Sequence, residues 1–258
     1  MTDVHIAAQR GYSTQAQTYA RGRPEYPVDI LPWLSALGVA ASRVVVDLGA
    51  GTGKFTKLLV QTGADVIAVE PVGAMRAQLI ESLPGVRVIA GSANAIPLAT
   101  ASADVVVCAQ AFHWFATELA LQEIHRVLRP GRMLGLIWNV RDESVDWVAA
   151  ITEIITPYEG DTPRFGKGDW RKPFSGQYFT ALEQTWFAHH HVGTAQEVIL
   201  DRFLSTSFIA ALPAHEKAEV ADQLHALIAS HTALRGRDMI SFPYRTEAYR
   251  CTRLDESS

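Results

Sequence analysis

The residues best suited to chemistry stand in one short stretch, VVVDLGAGTGKFTKLL, at positions 44–59. Gly49, Gly51 and Gly53 alternate with Ala50 and Thr52, directly after an apolar run and directly before a helical pattern. Glycine is required where a backbone must bend tightly and let a ligand lie against it, because any Cβ would fill that space. In open α/β sheets such turns sit outside the carboxyl ends of the strands, where ligands bind. Two acidic residues flank the turn. Asp47 precedes it, and Glu70 closes the next apolar run, 17 residues beyond Gly53, where a carboxylate can accept hydrogen bonds from both hydroxyls of a ribose. A phosphate loop does not fit: the spacing from Gly49 to Gly53 is one residue short, and Phe55 stands where the magnesium-binding hydroxyl belongs. A dinucleotide turn, G-x-G-x-x-G, would need a third glycine at Lys54.

These residues need strands and helices to hold them. RVVVDL (43–48) is β-branched and ends in glycines, as a buried strand should. Phe55, Leu58, Leu59 and Thr62 then recur at helical spacing until Gly63. DVIAVE (65–70) is a second strand; Pro71 opens the next helix, with Met75, Leu79 and Leu83 on its inner stripe. Residues 86–90 and 103–109 give a third and a fourth strand. A helix over 118–128 is expected to end at Pro130-Gly131, before a fifth strand, MLGLIWN (133–139). Such consecutive strand–helix–strand crossovers fit a doubly wound α/β sheet.

Beyond this point the character changes. Residues 142–156, 195–206 and 214–231 carry helical patterns, 157–178 reads as a loop, and 184–192 and 240–250 read as strands. The expectation is a single domain over 1–258: a helical cap (1–40), a core carrying the glycine turn (41–140), a lid or insertion (141–235) with a late strand, and a final strand (239–251). The sheet would be mostly parallel and seven-stranded, with the insertion over the site.

The acidic-x-Gly-x-Gly-x-Gly run resembles the first motif of class I S-adenosylmethionine (SAM)-dependent methyltransferases. GSANAIPL (91–98) resembles that family's adenine segment, and EIHRVLRPGRMLGLIW (123–138) the motif that closes its core. YARGRPEYP (19–27), AQAFHWF (109–115) and FPYRTEAYRC (242–251) are similar to a subgroup of type 11 domains that includes trans-aconitate methyltransferase-like enzymes. The likeness implies SAM as cofactor, with the backbone of Gly49, Ala50, Gly51 and Gly53 on its methionine part. It implies that Asp47 orients the turn and helps hold the ammonium, that Glu70 takes the ribose, and that Ser92, Ala93 and Asn94 meet the adenine. Thr52, Pro71, Met75, Gln110 and Ala111 complete that set, with Arg23 placed for the cofactor's carboxylate and Tyr19 closing over it.

AQAFHWF would then lie across the reactive end of the cofactor. Trp114 or Phe112 could offer an aromatic face to a sulfonium. His113 could act as general base for a phenol or an acidic carbon, as a hydrogen-bond donor, or as a supporting group. A carboxylic acid acceptor is already ionised at neutral pH and needs no base. The acceptor wall is expected from the N-terminal segment and residues 140–210, through Trp147, Tyr158, Phe165, Trp170, Phe174 and Tyr178. Arg141, Arg164 and Arg171 are candidate partners for a substrate carboxylate, and Asp142, Glu143 and Asp146 read as a solvated helix start.

Composition narrows the partners. A net charge of −4 and the absence of a Lys/Arg run argue against nucleic acid. So does Gln110-Ala111-Phe112-His113, which stands where amino-methylating nucleic-acid enzymes carry Asn/Asp-Pro-Pro-aromatic. Cys108 and Cys251 lack metal-ligand spacing and fit a reducing cytoplasm. There is no signal-peptide pattern, and no apolar run reaches the roughly eighteen residues of a membrane span. On a strand, His189 and His191 would share one face without a third metal ligand, so no metal is expected. The reading is a methyltransferase acting on a small-molecule acceptor, with oxygen first and carbon or nitrogen next. Its alternatives are a SAM-binding protein without turnover, a nucleic-acid methyltransferase and a nicotinamide-dependent oxidoreductase.

Overall fold

The computed structural model describes residues 22–255. Seven strands form one sheet in the order β3-β2-β1-β4-β5-β7-β6. The strands are β1 (Val44–Leu48), β2 (Asp65–Val69), β3 (Arg87–Ile89), β4 (Ala103–Ala109), β5 (Leu128–Arg141), β6 (Glu183–Gly193) and β7 (Ile240–Thr252). The first five run parallel, and β7 inserts antiparallel between β5 and β6. Winding reverses between β1 and β4, so the crevice of an α/β sheet opens above their carboxyl ends.

Helices cover both faces of the parallel part. They are α1 (Leu31–Leu37), α2 (Lys54–Gln61), α3 (Gly73–Ser82) and α4 (Glu118–Val127), followed by α5 (Asp146–Ile155) and α6 (Ala214–Ser230) over the later strands. On one face Phe55, Leu58 and Leu59 of α2 pack with Trp33 and Leu34 of α1 against Val45 and Val105. On the other, Leu121 and Ile124 of α4 pack against Val106, Leu134 and Trp138. A third cluster joins Val148 and Ile151 of α5, Val220 and Leu224 of α6, and Phe203 to Phe242 and Tyr244 of β7. This cluster anchors α5, α6 and the residues around Phe203 to the sheet.

Two boundaries differ from the sequence expectation. Helix α4 stops at Val127, before Pro130-Gly131, and β5 starts at Leu128 with a register shift against β4. A parallel partner and a bulge therefore absorb the Pro-Gly pair inside the strand. The stretch 157–178 takes in the end of one 3₁₀ turn, Thr156–Tyr158, and two more, Phe165–Lys167 and Asp169–Arg171, and buries Trp170. Residues 195–206 are helical, but begin as a π turn, Gln196–Asp201. No helix among the described residues is long and apolar enough to cross a membrane.

Candidate active site

The glycine turn hangs from the end of β2: the N–H groups of Gly49 and Ala50 both donate to Val69 O, at 2.8 and 3.2 Å. All three glycines are left-handed, with φ of 76°, 59° and 90° for Gly49, Gly51 and Gly53. They are needed for two different reasons. A Cβ on Gly49 would lie 2.7 Å from Ala111 Cβ, and one on Gly53 would lie 2.9 Å from Leu79 Cγ, whereas Gly51 has no protein atom closer than Met75 Sδ at 3.9 Å. Gly49 and Gly53 therefore serve packing, and Gly51 leaves open space over the turn.

That space is a cavity. It is lined by Asp47, Gly49, Ala50, Gly51 and Thr52 from the turn and by Glu70, Pro71 and Met75 from β2 and α3. Ser92, Ala93 and Asn94 line it after β3; Gln110, Ala111 and Trp114 after β4; and Arg23 ahead of α1. Of the residues expected from sequence, Gly53 does not reach the cavity; it caps α2 and admits Leu79 of α3. Tyr19 lies outside the described residues.

The two acidic residues differ in state. Glu70 is 4% exposed, and its Oε2 and Oε1 accept from Gly51 N and Val72 N at 2.9 and 2.8 Å. Glu70 thus ties the glycine turn to the start of α3, a role its spacing did not disclose. Burial raises its pKa, while these N–H donors and Arg76 oppose the rise. Asp47 is fully buried; Thr56 Oγ1 donates to its Oδ2 at 2.7 Å, and its Oδ1 has no partner. Burial raises the Asp47 pKa to about 7, the Thr56 bond opposes the rise, and the negative Glu70 adds to it. A buried orphan acceptor in a ligand cavity calls for a cationic donor from the ligand.

The segment after β3 is fixed from α4. Arg126 grips Glu123 and donates to Leu98 O and Ile96 O at 2.8 and 2.9 Å, while Glu123 Oε2 accepts from Ile96 N at 2.9 Å. EIHRVL therefore positions the Ser92–Asn94 turn.

A second cavity adjoins the first and shares Arg23, Gln110, Trp114 and Asn139 with it. Its walls hold four arginines, Arg23, Arg141, Arg164 and Arg202, against one carboxylate, Glu143. The Arg141 side chain is 10% exposed and lies 3.5 Å from Glu143 Oε1. Burial, followed by the nearby Arg164 and Arg202 cations, pulls its pKa down to about 10. Arg164 also pairs with Glu159 and lies over the Phe208 ring. Buried guanidinium groups crowded together favour an anion that returns charge-assisted hydrogen bonds.

His113 lines this second cavity. Its Nδ1 accepts from Trp138 Nε1 at 3.0 Å, and burial together with the Arg164 and Arg23 cations lowers its pKa to about 3. Gln110 takes a left-handed φ of 57°, rare for a residue with a Cβ, and its amide donates to Asn139 O at 3.1 Å. Asn139 donates to Glu25 O at 3.0 Å and accepts from Thr246 Oγ1 at 2.6 Å, so it joins the segment ahead of α1 to β5 and β7. Asn139, Trp138 and Arg202 were not expected in the site; an asparagine closing an apolar strand was the one signal available for them.

Several expected acceptor contacts are absent. Phe112 is fully buried against Phe115 and Phe174, leaving Trp114 at both cavities. Of the six aromatics expected in the acceptor wall, Phe165 lines the second cavity, whereas Trp170 and Trp147 fill cores. Arg171 is exposed, lies over Trp170 and donates to Tyr249 OH at 2.9 Å. His189 and His191 share the inward face of β6, with His190 exposed on the other.

A parallel sheet with an antiparallel β7 inserted before the last strand, and a glycine turn after β1, is the architecture of class I SAM-dependent methyltransferases. The methyltransferase domain family matches residues 46–135. An uncharacterized methyltransferase-like protein of Schizosaccharomyces pombe is 37% identical over 242 residues, covering 92% of this chain and 93% of its own. A protein of Anaeromyxobacter dehalogenans assigned to the type II methyltransferases shares the fold with a TM-score of 0.62 at 24% identity, over 90% of this chain and 96% of that one. A phosphoethanolamine N-methyltransferase of Haemonchus contortus, solved with S-adenosyl-L-methionine, has a TM-score of 0.57 at 13% identity, over 99% of this chain and 60% of that one. The chain belongs to the methyltransferase family, and its cofactor is SAM. The residues present suit that cofactor: an open cradle over Gly51, an orphan acceptor on Asp47 for a cation, and a carboxylate at the end of β2.

Proposed function

We propose that this enzyme methylates an oxygen of a small acidic molecule held in the second cavity. The observation that carries the reading is the arginine-lined cavity directly beside the cofactor cavity. The cofactor supplies a methyl carbon made electrophilic by a sulfonium; the protein has to align a nucleophile with it and keep water out. Asp47 Oδ1 receives the cofactor's ammonium, Arg23 its carboxylate, Glu70 its ribose, and the Ser92–Asn94 turn its adenine. Trp114 and Gln110 stand where the two cavities meet. Arg141 and Arg164 hold one acid group of the acceptor, which turns another oxygen toward the cofactor. The likeness of YARGRPEYP and FPYRTEAYRC to trans-aconitate methyltransferase-like enzymes favours the same class of acceptor.

The test is a panel of small mono-, di- and tricarboxylic acids, phenols and amines, incubated with SAM and read by mass spectrometry. The expected product is a monomethyl ester that hydroxylamine cleaves. Methylation confined to amines would overturn the assignment.

A further inference from the structure

The Trp138 indole N–H donates to His113 Nδ1 at 3.0 Å. An indole nitrogen only donates, so Nδ1 must carry the lone pair, and the neutral imidazole keeps its proton on Nε2. The indole is 1% exposed and packed against the stacked pair Trp170 and Phe165, with ring centroids 4.6 and 5.0 Å away, and against Tyr249 at 6.0 Å. It is not free to turn away. The charged groups facing His113 are Arg23, ahead of α1, and Arg164, from the stretch after α5. Elsewhere in the cavity stand Arg141, Arg202 and Glu143, the last beside Arg141. A protonated ring would therefore add a cation to a cationic wall.

We infer that Trp138 is a positioning residue that fixes His113 in its Nε2–H form, so that His113 donates a hydrogen bond to the acceptor oxygen and takes no proton from it. The inference rests on the proposed oxygen acceptor. A general base must present a lone pair, and the lone pair of this ring is engaged by the indole. Methylation of a carboxylate needs no base: an oxygen pair forms the new O–C bond, the sulfur keeps the pair of the broken C–S bond, and no proton moves. A wall of guanidinium groups and one imidazole N–H selects an acceptor that is ionised before it binds. A neutral hydroxyl or phenol finds no free lone pair on this imidazole to take its proton, and the one carboxylate among the lining residues, Glu143, is paired with Arg141.

The direct test is ¹⁵N NMR of the imidazoles in the whole protein from pH 5.5 to 8.5, with the His113 signal assigned through its loss in His113→Gln. The expected result is an Nε2–H pattern that stays constant over this range. In Trp138→Phe, which removes only the indole ring's donor and part of its bulk, the ring should become a tautomer mixture and begin to titrate. An Nδ1–H pattern, or a midpoint above pH 6 in the wild type, overturns the inference. The wild-type spectrum decides even where Trp138→Phe folds poorly.

Activity gives a second reading, taken as kcat at saturating cofactor so that Asp47 does not enter. A glutamine amide can present a donor where Nε2 stands. His113→Gln should stay within about tenfold of wild type, while His113→Ala should lose more, by about the value of one hydrogen bond to a charged group. A base role predicts instead that both variants fall together by roughly 10²- to 10⁴-fold. The NMR reading needs no acceptor. Failure to find an acid substrate would therefore overturn the proposed function while leaving the tautomer result to stand or fall on its own.

Discussion

Cofactor affinity should depend on pH through Asp47. Its carboxyl is buried, has one orphan oxygen, and has a pKa raised to about 7. The folded value lies above the unfolded one. The stability this group contributes to the cofactor-free protein is therefore present below the unfolded value and lost as pH rises through about 7. Cofactor binding shifts the balance the other way, because an ammonium against Oδ1 favours the ionised carboxylate. Below pH 7 binding must therefore release a proton. With that midpoint, the dissociation constant should be roughly tenfold weaker at pH 6 than at pH 8, about 1.4 kcal/mol. Calorimetry with S-adenosylhomocysteine, in buffers of different ionisation heat, should show about 0.9 proton released at pH 6 and almost none at pH 8. Asp47→Asn should bind more weakly at pH 8 and lose the slope. Glu70 also has a raised pKa, so Glu70→Gln provides the control: it removes the smallest named cause of the Asp47 shift, and the slope should persist with its midpoint moved to lower pH. A flat profile between pH 6 and 8, or a slope that survives Asp47→Asn, would refute the assignment of Oδ1 to the cofactor's cation.

Three further outcomes follow from the geometry. Glu70→Gln sets an amide NH₂ against the N–H of Gly51 or Val72, and should weaken S-adenosylhomocysteine binding by roughly 1.5–3 kcal/mol, measured by calorimetry. Arg141→Met removes one cation from beside Arg164 and Arg202; it should raise KM for an acid acceptor by roughly 10- to 100-fold with Tm unchanged or higher. A large drop in Tm would make Arg141 structural. Gly49→Ala and Gly51→Ala should separate: both put a Cβ on a left-handed backbone, at about 1–2 kcal/mol, but only at Gly49 does it strike Ala111. Both should lose cofactor affinity, with the larger fall in Tm for Gly49→Ala in a thermal-shift assay.

How much of this was legible beforehand depended on whether the cause was local. The glycine turn, the strand before it and Glu70 at the next strand end are consequences of neighbouring residues, and the sheet follows from repeating that unit. The rest arises from contacts across long stretches of chain. Trp138 and His113 lie 25 positions apart, and Asn139 and Thr246 lie 107 apart. Nothing at Arg171 distinguishes it locally from Arg164, yet one stacks outside on Trp170 and the other faces the second cavity. The difference comes from how the 157–178 stretch folds over β5 and β7. Aromatic residues misled for a related reason: composition marks them as apolar, but the packing of Trp138, Trp170 and Tyr249 into one cluster decides which face a core and which a cavity.

The two cavities also differ in the balance of their charged walls. Asp47 and Glu70 face Arg23 and Lys54 in the first, whereas four arginines face the single carboxylate Glu143 in the second, with Arg23, Gln110, Trp114 and Asn139 shared between them. On the proposed reading, a cation meets the unpartnered Asp47 oxygen in one cavity, an anion meets the arginines of the other, and transfer of the methyl group removes one charge from each. Such a loss of charge is favoured wherever the walls solvate ions less well than water does, because the neutral products need less solvation than the charged reactants. The same argument accounts for release. The thioether product has lost its sulfonium, and the ester has lost an anionic oxygen, so each is held less strongly than the reactant it came from. An amine acceptor, protonated at neutral pH, would meet the arginines as a like charge and would have to lose a proton at a site where His113 offers no lone pair. On the proposed reading the arginine wall and the tautomer of one imidazole act together, since the same cations that would hold an acid also keep His113 neutral.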